Sequence, residues 1–196
     1  MKSFLPISFL LISMTLMSQE QMNESLPYTS IPEAPVTYTP GSVVSRMVDG
    51  LGFRYRWATE GLTEDDLNYA PGNEGRTISQ TLRHLYGLSR TIANSAKKQP
   101  NDFTVKPPEL GFEAQRKATL ENFQLASELF LKTKDLAQHN VIFKRADKTT
   151  EFPFWNNING PIEDAVWHAG QIVLLRRSAG NPINPKVNVF LGKLND

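Results

Sequence analysis

The 196-residue chain contains no cysteine. No disulfide can hold it together, no lipid-bearing cysteine can anchor it, and any metal site must use nitrogen and oxygen ligands. Charge of one sign is missing too: 21 Lys and Arg face 20 Asp and Glu, with no basic block or stripe. Nucleic acid is therefore not an expected partner. There is no nucleophile elbow, no phosphate-binding glycine loop and no His-Glu-x-x-His motif. After the first residues no long hydrophobic run occurs.

The chain opens with Met1-Lys2, a short apolar stretch from Phe4 to Met17, and the small residue Ser18. This is the layout of a signal peptide over residues 1–18, cleaved near Ser18-Gln19. The run is shorter than the about 20 residues a membrane span needs. The expectation is an exported chain, periplasmic or secreted, with no stable span after cleavage; an uncleaved N-terminal anchor is the alternative. Residues 19–41 are rich in Pro, Thr, Ser and Glu and read as an extended lead-in, not a packed element. Residues 42–196 fit a single domain.

Four helices are expected, near 42–60, 76–97, 113–138 and 160–178, giving an all-α, up-down type four-helix bundle. In the first, Val44, Met47, Val48, Leu51, Tyr55, Ala58 and Leu62 recur at spacings of three and four, and Gly61 is the stop. Thr63 to Asp66 reads as a capped short turn. The second starts on a capping box, Thr77 with Gln80, and carries Ile78, Leu82, Leu85, Ile92 and Ala96. The third carries Leu120, Phe123, Phe130 and Leu136. Val141 to Trp155 fits either a loose hairpin or an ordered loop. The fourth has Asn159 or Gly160 as cap and Pro161 in its first turn. It is apolar on most sides, which predicts central burial. The tail, 184–196, is expected to wrap back through Val187, Val189 and Phe190.

At about 100° per residue, Asp164, His168, Gln171 and Leu175 fall within one arc of roughly 60° on the fourth helix. A carboxylate and an imidazole four residues apart can reach one ion, or can form a buried ion pair that only orients the helices. His84 lies at the edge of the second helix's apolar stripe; it can reach toward a neighbouring helix or remain a boundary residue. His139 is expected to interact with a helix C-terminus as a partly charged imidazole. Arg176 and Arg177 complement the fourth helix's dipole and need no further role. The cluster Phe152, Phe154, Trp155, Asn156, Asn157 and Asn159 reads as a pocket mouth or as a plug beneath a loop.

The order of Arg54-Tyr55-Arg56-Trp57-Ala58-Thr59-Glu60-Gly61-Leu62-Thr63, Pro71-Gly72, Arg76 to Leu85, and Val166-Trp167-His168-Ala169-Gly170-Gln171-Ile172 with Arg176, Gly180, Asn181 and Pro182 resembles the DinB/YfiT-like family. The resemblance covers nearly all of the chain after its leader. It implies a four-helix fold with a site between helices, where metal-binding members use one histidine of the second helix and a His-x-x-x-His pair on the fourth. His84 and His168 match two of those positions; the third is Asp164, not histidine. The implied metal ligands are thus His84, Asp164 and His168, for a divalent ion such as zinc, nickel or iron. Gln171 is the candidate catalytic residue, orienting a bound water or a ligand. Activities in the family include thiol-dependent S-transfer, isomerisation with a thiol cofactor and metal-assisted hydrolysis. Export weighs against the thiol reactions, because small thiols are chiefly intracellular. The favoured expectation is a hydrolase-like enzyme using a metal-activated water on a small-molecule substrate, with a homodimer as a compatible assembly. The alternatives are a non-catalytic binding or scaffold bundle that has lost the metal, and a thiol-dependent S-transferase.

Overall fold

A computed structural model describes residues 26–72 and 74–196; the leader, its cleavage point and the first part of the lead-in lie outside them. The described chain is mostly helical, with a few small strands. Among the described residues no helix is long and apolar enough to cross a membrane.

Helix α1 is Pro40–Thr59, two residues ahead of its expected start. Thr39 caps it: Ser42 N–H donates to Thr39 Oγ1 at 3.1 Å, the Thr39 N–H donates to Ser42 Oγ at 2.8 Å, and Pro40 takes the first turn, where its missing N–H costs nothing. Val44, Val48, Leu51, Tyr55 and Ala58 are buried as their spacing demands, whereas Met47 is exposed. A Cβ on Gly41 would run into the backbone oxygens of Phe130 and Thr133, so this helix start needs glycine. Gly61, at φ +68°, ends the helix. The short α2, Glu64–Asn68, is capped by Thr63 and Asp66, as expected.

Helix α3, Ile78–Ala96, begins on the Thr77–Gln80 capping box and buries the expected stripe. Helix α4, Phe112–Leu131, is shorter than its sequence pattern. The Thr133 N–H turns back to Phe130 O, and Asp135 caps a separate 3-10 turn, Leu136–Gln138, through the Ala137 N–H. Leu136 reaches the core from that turn, which is why the apolar pattern ran on. Strands β1 (Asn101–Asp102), β2 (Val141–Lys144) and β3 (Thr149–Phe152) make a small sheet in that order, β2 and β3 as an antiparallel hairpin with Val141 opposite Phe152.

The last helical run starts at α5, Trp155–Asn157, passes a π-turn at Ile158–Ile162, and continues as α6, Glu163–Ser178. Neither Asn159 nor Gly160 caps it, and Pro161 lies inside the wide turn, which tolerates its missing N–H. Burial along α6 is one-sided, contrary to the expectation of central burial. Ala165, Ala169, Ile172 and Leu175 are inside, while Trp167 and Leu174 are 72% and 61% exposed. Helices α1 and α3 each pack against both α4 and α6.

The start of the described lead-in is packed, against expectation, while Val36 and Tyr38 further along it are exposed. Leu26 and Tyr28 are buried in the core, and Arg56 donates to Leu26 O at 2.8 Å. Composition hid this because a few apolar side chains, Leu26, Tyr28 and the partly buried Ile31, seat an otherwise polar segment. In the tail, β4 (Val187–Asn188) and β5 (Lys193–Leu194) pair, and Val187 packs on the core. Val189 and Phe190 stay exposed, so only one of the three residues named for the tail serves it.

Two arginines grip the end of α1. Arg116 of α4 donates to Arg56 O at 3.3 Å and Thr59 Oγ1 at 2.9 Å, and pairs with Glu60. Arg176 of α6 donates to Trp57 O at 3.3 Å, Ala58 O at 3.0 Å and Asn181 O at 2.7 Å. Both are buried. They occupy carbonyls that a helix C-terminus leaves without partners. Arg176 therefore has a role well beyond its own helix dipole.

Two buried carboxyls titrate in opposite senses. Burial pushes Asp49 above its ordinary value, outweighing hydrogen bonds from Ser127 and Tyr28. Burial pushes Asp66 up as well, but hydrogen bonds from Thr63 and Asn181 win and hold it below the ordinary value. Asp49 therefore adds stability at low pH that is lost as pH rises through its folded-state pKa. Asp66 adds stability near neutrality that is lost as pH falls through its own. In urea unfolding between acid and neutral pH, Asp49→Asn should gain on the parent as pH rises. Asp66→Asn should fall behind over the same range, and parallel profiles would contradict both assignments.

Candidate metal centre

The N–H groups opening α3 are satisfied by the capping box, which fixes the helix start and hence the phase of His84, two turns in. On α6, Asp164 and His168 stand one turn apart on the flank facing α3. His84 Nε2 lies 2.9 Å from Asp164 Oδ2, and His168 Nε2 lies 3.3 Å from Asp164 Oδ1. One carboxylate thus sits between two imidazoles, whose rings meet edge to face with centroids 4.6 Å apart. One ligand atom from each of the three lies within 4.8 Å of the others, so the group could hold a metal ion. His84 and Asp164 are about one-third exposed and His168 less, which leaves room for further ligands.

Gln171 completes the arrangement. Its Oε1 can only accept, so the hydrogen bond from His168 is donated by Nδ1–H. In the neutral ring the lone pair is then on Nε2, the ring nitrogen 3.3 Å from Asp164 Oδ1. Two acceptor atoms lie close together there, and a cation between them removes the repulsion. Two imidazole nitrogens and a carboxylate oxygen suit a borderline divalent ion. The donor set therefore fits a metal on its own chemistry. Gln171, expected to orient a bound water or a ligand, contacts His168.

The three residues and Gln171 form one wall of a cavity of about 720 Å³, within the range of small-molecule sites. Arg76, Thr81, Leu174 and Ser178 also line it. Sequence reasoning missed these four as site residues. The available signal was positional: Arg76 directly precedes the α3 cap, and Leu174 and Ser178 follow Gln171 by three and seven residues.

The other sequence candidates are elsewhere. His139 is buried, with Nδ1 3.1 Å from Ser95 O at the end of α3 and Nε2 on Thr133. It does meet a helix C-terminus, but burial pushes its pKa down, so it acts as a neutral hydrogen-bonding ring, not a charged one. Of the aromatic and amide cluster, Phe154 packs edge-on against Phe130 with centroids 5.4 Å apart. Asn157 is buried and donates to Ser95 Oγ, whereas Trp155 is exposed. None of the cluster lines this cavity; Phe154 and Asn157 are buried as a plug would be, while Phe152, Asn156 and Asn159 are exposed like Trp155.

Comparison with protein-family models, with curated proteins and with solved structures finds no match.

Proposed function

We propose that this chain is a metal-dependent enzyme of the DinB/YfiT-like type, an up-down four-helix bundle of α1, α3, α4 and α6, acting as a hydrolase on a small molecule. The observation that carries the reading is the Asp164 carboxylate held between His84 and His168 in the wall of a ligand-sized cavity. The pairing of α1 and α3 with both α4 and α6 supports the bundle. Export, read from Met1 to Ser18, belongs to the same proposal.

His84, Asp164 and His168 would hold the ion, with zinc, nickel and iron all compatible with the donors. When bound, such an ion supplies Lewis acidity and makes water a nucleophile near neutral pH. The chain's own residues do the rest. Gln171 keeps the His168 proton on Nδ1 and its lone pair on Nε2. Asp164 supplies the negative charge that draws a cation to the wall. Arg76 puts a guanidinium on the lining of the same cavity, where it can pair with an acidic group on a substrate.

Metal analysis of untagged protein, with calorimetric titration of zinc into chelator-treated protein, tests this. One ion per chain is expected. At zinc concentrations about 100-fold above Kd, linkage gives about 2.7 kcal/mol, a rise in Tm of roughly 5–10 °C for a chain of this size. Absence of both stoichiometric metal and a Tm shift would leave a His–Asp–His hydrogen-bonded cluster that only orients two helices.

A further inference from the structure

A second cavity, of about 490 Å³, lies on a different side of α3. Its floor is one face of that helix: Arg83, Tyr86, Gly87 and Arg90. At about 100° per residue, Arg83 and Arg90 point in nearly the same direction, and Gly87 falls between them. His84 points about 100° away, toward the metal centre. The opposite wall is the Lys106–Leu110 segment, with Pro107 and Pro108.

Charge in this cavity is unbalanced. Lys106 is matched by Glu109 at 2.8 Å. Among the described residues neither Arg83 nor Arg90 has an ion-pair or hydrogen-bond partner; Arg90 only lies over the Tyr86 ring, 5.9 Å from its centroid. Two guanidiniums thus share a concave surface with no acid of their own.

Gly87 is the independent observation. Glycine within a helix is destabilising, and a packing reason for one would be a close neighbour or a positive φ. Gly87 has neither: a Cβ there would meet nothing within 4 Å, and its backbone is helical. The protein's own packing does not ask for this glycine. What its missing side chain does is leave the floor between the two arginines open.

We propose that this cavity binds a small organic dianion with a flat apolar body. One acidic group pairs with Arg83 and the other with Arg90, whose Cα atoms are roughly 10 Å apart at 1.5 Å per residue. The flat body lies over Gly87 against Pro107 and Pro108. Guanidinium forks match carboxylate and phosphate oxygens in pairs, so either acid serves.

Fluorescence titration of full-length protein with naphthalene dicarboxylate, at moderate salt, tests the proposal. The expected result is saturable binding that falls at least tenfold in Arg83→Gln and in Arg90→Gln. Gly87→Leu should weaken it similarly while its Tm stays at or above the parent value, which separates a filled floor from a damaged fold. His168→Ala should leave it unchanged, because this site does not depend on the metal centre. Naphthalene monocarboxylate should bind at least tenfold more weakly than the dicarboxylate. Absence of saturation at millimolar probe would overturn the proposal, as would binding indifferent to both arginines or to Gly87→Leu.

Discussion

Replacing His168 by alanine is expected to abolish stoichiometric zinc binding. His168 is the least exposed of the three candidate ligands, and it alone is held by a partner outside the trio, Gln171. Its loss leaves His84 and Asp164, and a two-ligand site on a flexible pair of side chains does not compete with water for an ion. Removing the support is milder than removing the ligand: Gln171→Ala should weaken zinc by about 10- to 100-fold. Asp164→Asn should also weaken it, because the amide brings no charge. His139→Ala should leave zinc binding intact while lowering stability, since it strips a buried partner from Ser95 O. Calorimetric titration of the four variants checks the order. Equal zinc binding by the parent and His168→Ala would remove the trio as the metal site.

The second large effect is on stability. Arg116→Ala or Arg176→Ala should each lower stability by about 3–5 kcal/mol, as breaking a buried charged network typically does. For a chain of this size that is a fall in Tm of roughly 6–20 °C. The cause is shared: the last carbonyls of α1 and, for Arg116, the Glu60 carboxylate lose the guanidinium that covers them. Lysine should not rescue either position, because one ammonium cannot reproduce a fork that reaches several acceptors at once. Calorimetric melting of the six proteins, parent and double variant included, is the check. The double variant should lose less than the sum, since both arginines serve the same helix end.

Helix positions were readable wherever an apolar spacing coincided with a cap. Thr77 with Gln80 marked the start of α3, and Gly61 marked the end of α1, because each satisfies a local need that the surrounding fold does not change. The arc of Asp164, His168 and Gln171 was readable for the same reason: helical phase is local. That His84 faces it was not readable from spacing, since this depends on how α3 lies against α6. The misreadings come from tertiary context. Lys132 to Asp135 contains no helix breaker, yet α4 stops there, and the partly buried Leu136 packs on the core from a separate turn. Pro161 looked like a first-turn proline because a π-turn has no sequence mark of its own. Charged residues read as surface, and so Arg56, Arg116 and Arg176, all buried, gave no warning.

The partners His84 and Asp164 are separated by 80 positions along the chain. The contact between them closes a loop that contains α4, the β-hairpin and the π-turn. Before α3 and α6 dock, the chain can offer an ion only Asp164 and His168, one turn apart on a single helix. Closing a loop of that length costs entropy that rises only slowly with length, but the cost falls before the contact returns anything. The site is therefore assembled by long-range docking of α3 against α6, not by any one helix. An ion held by the His–Asp–His trio would then report on the docking of α3 against α6, and would act as a clasp between those two helices.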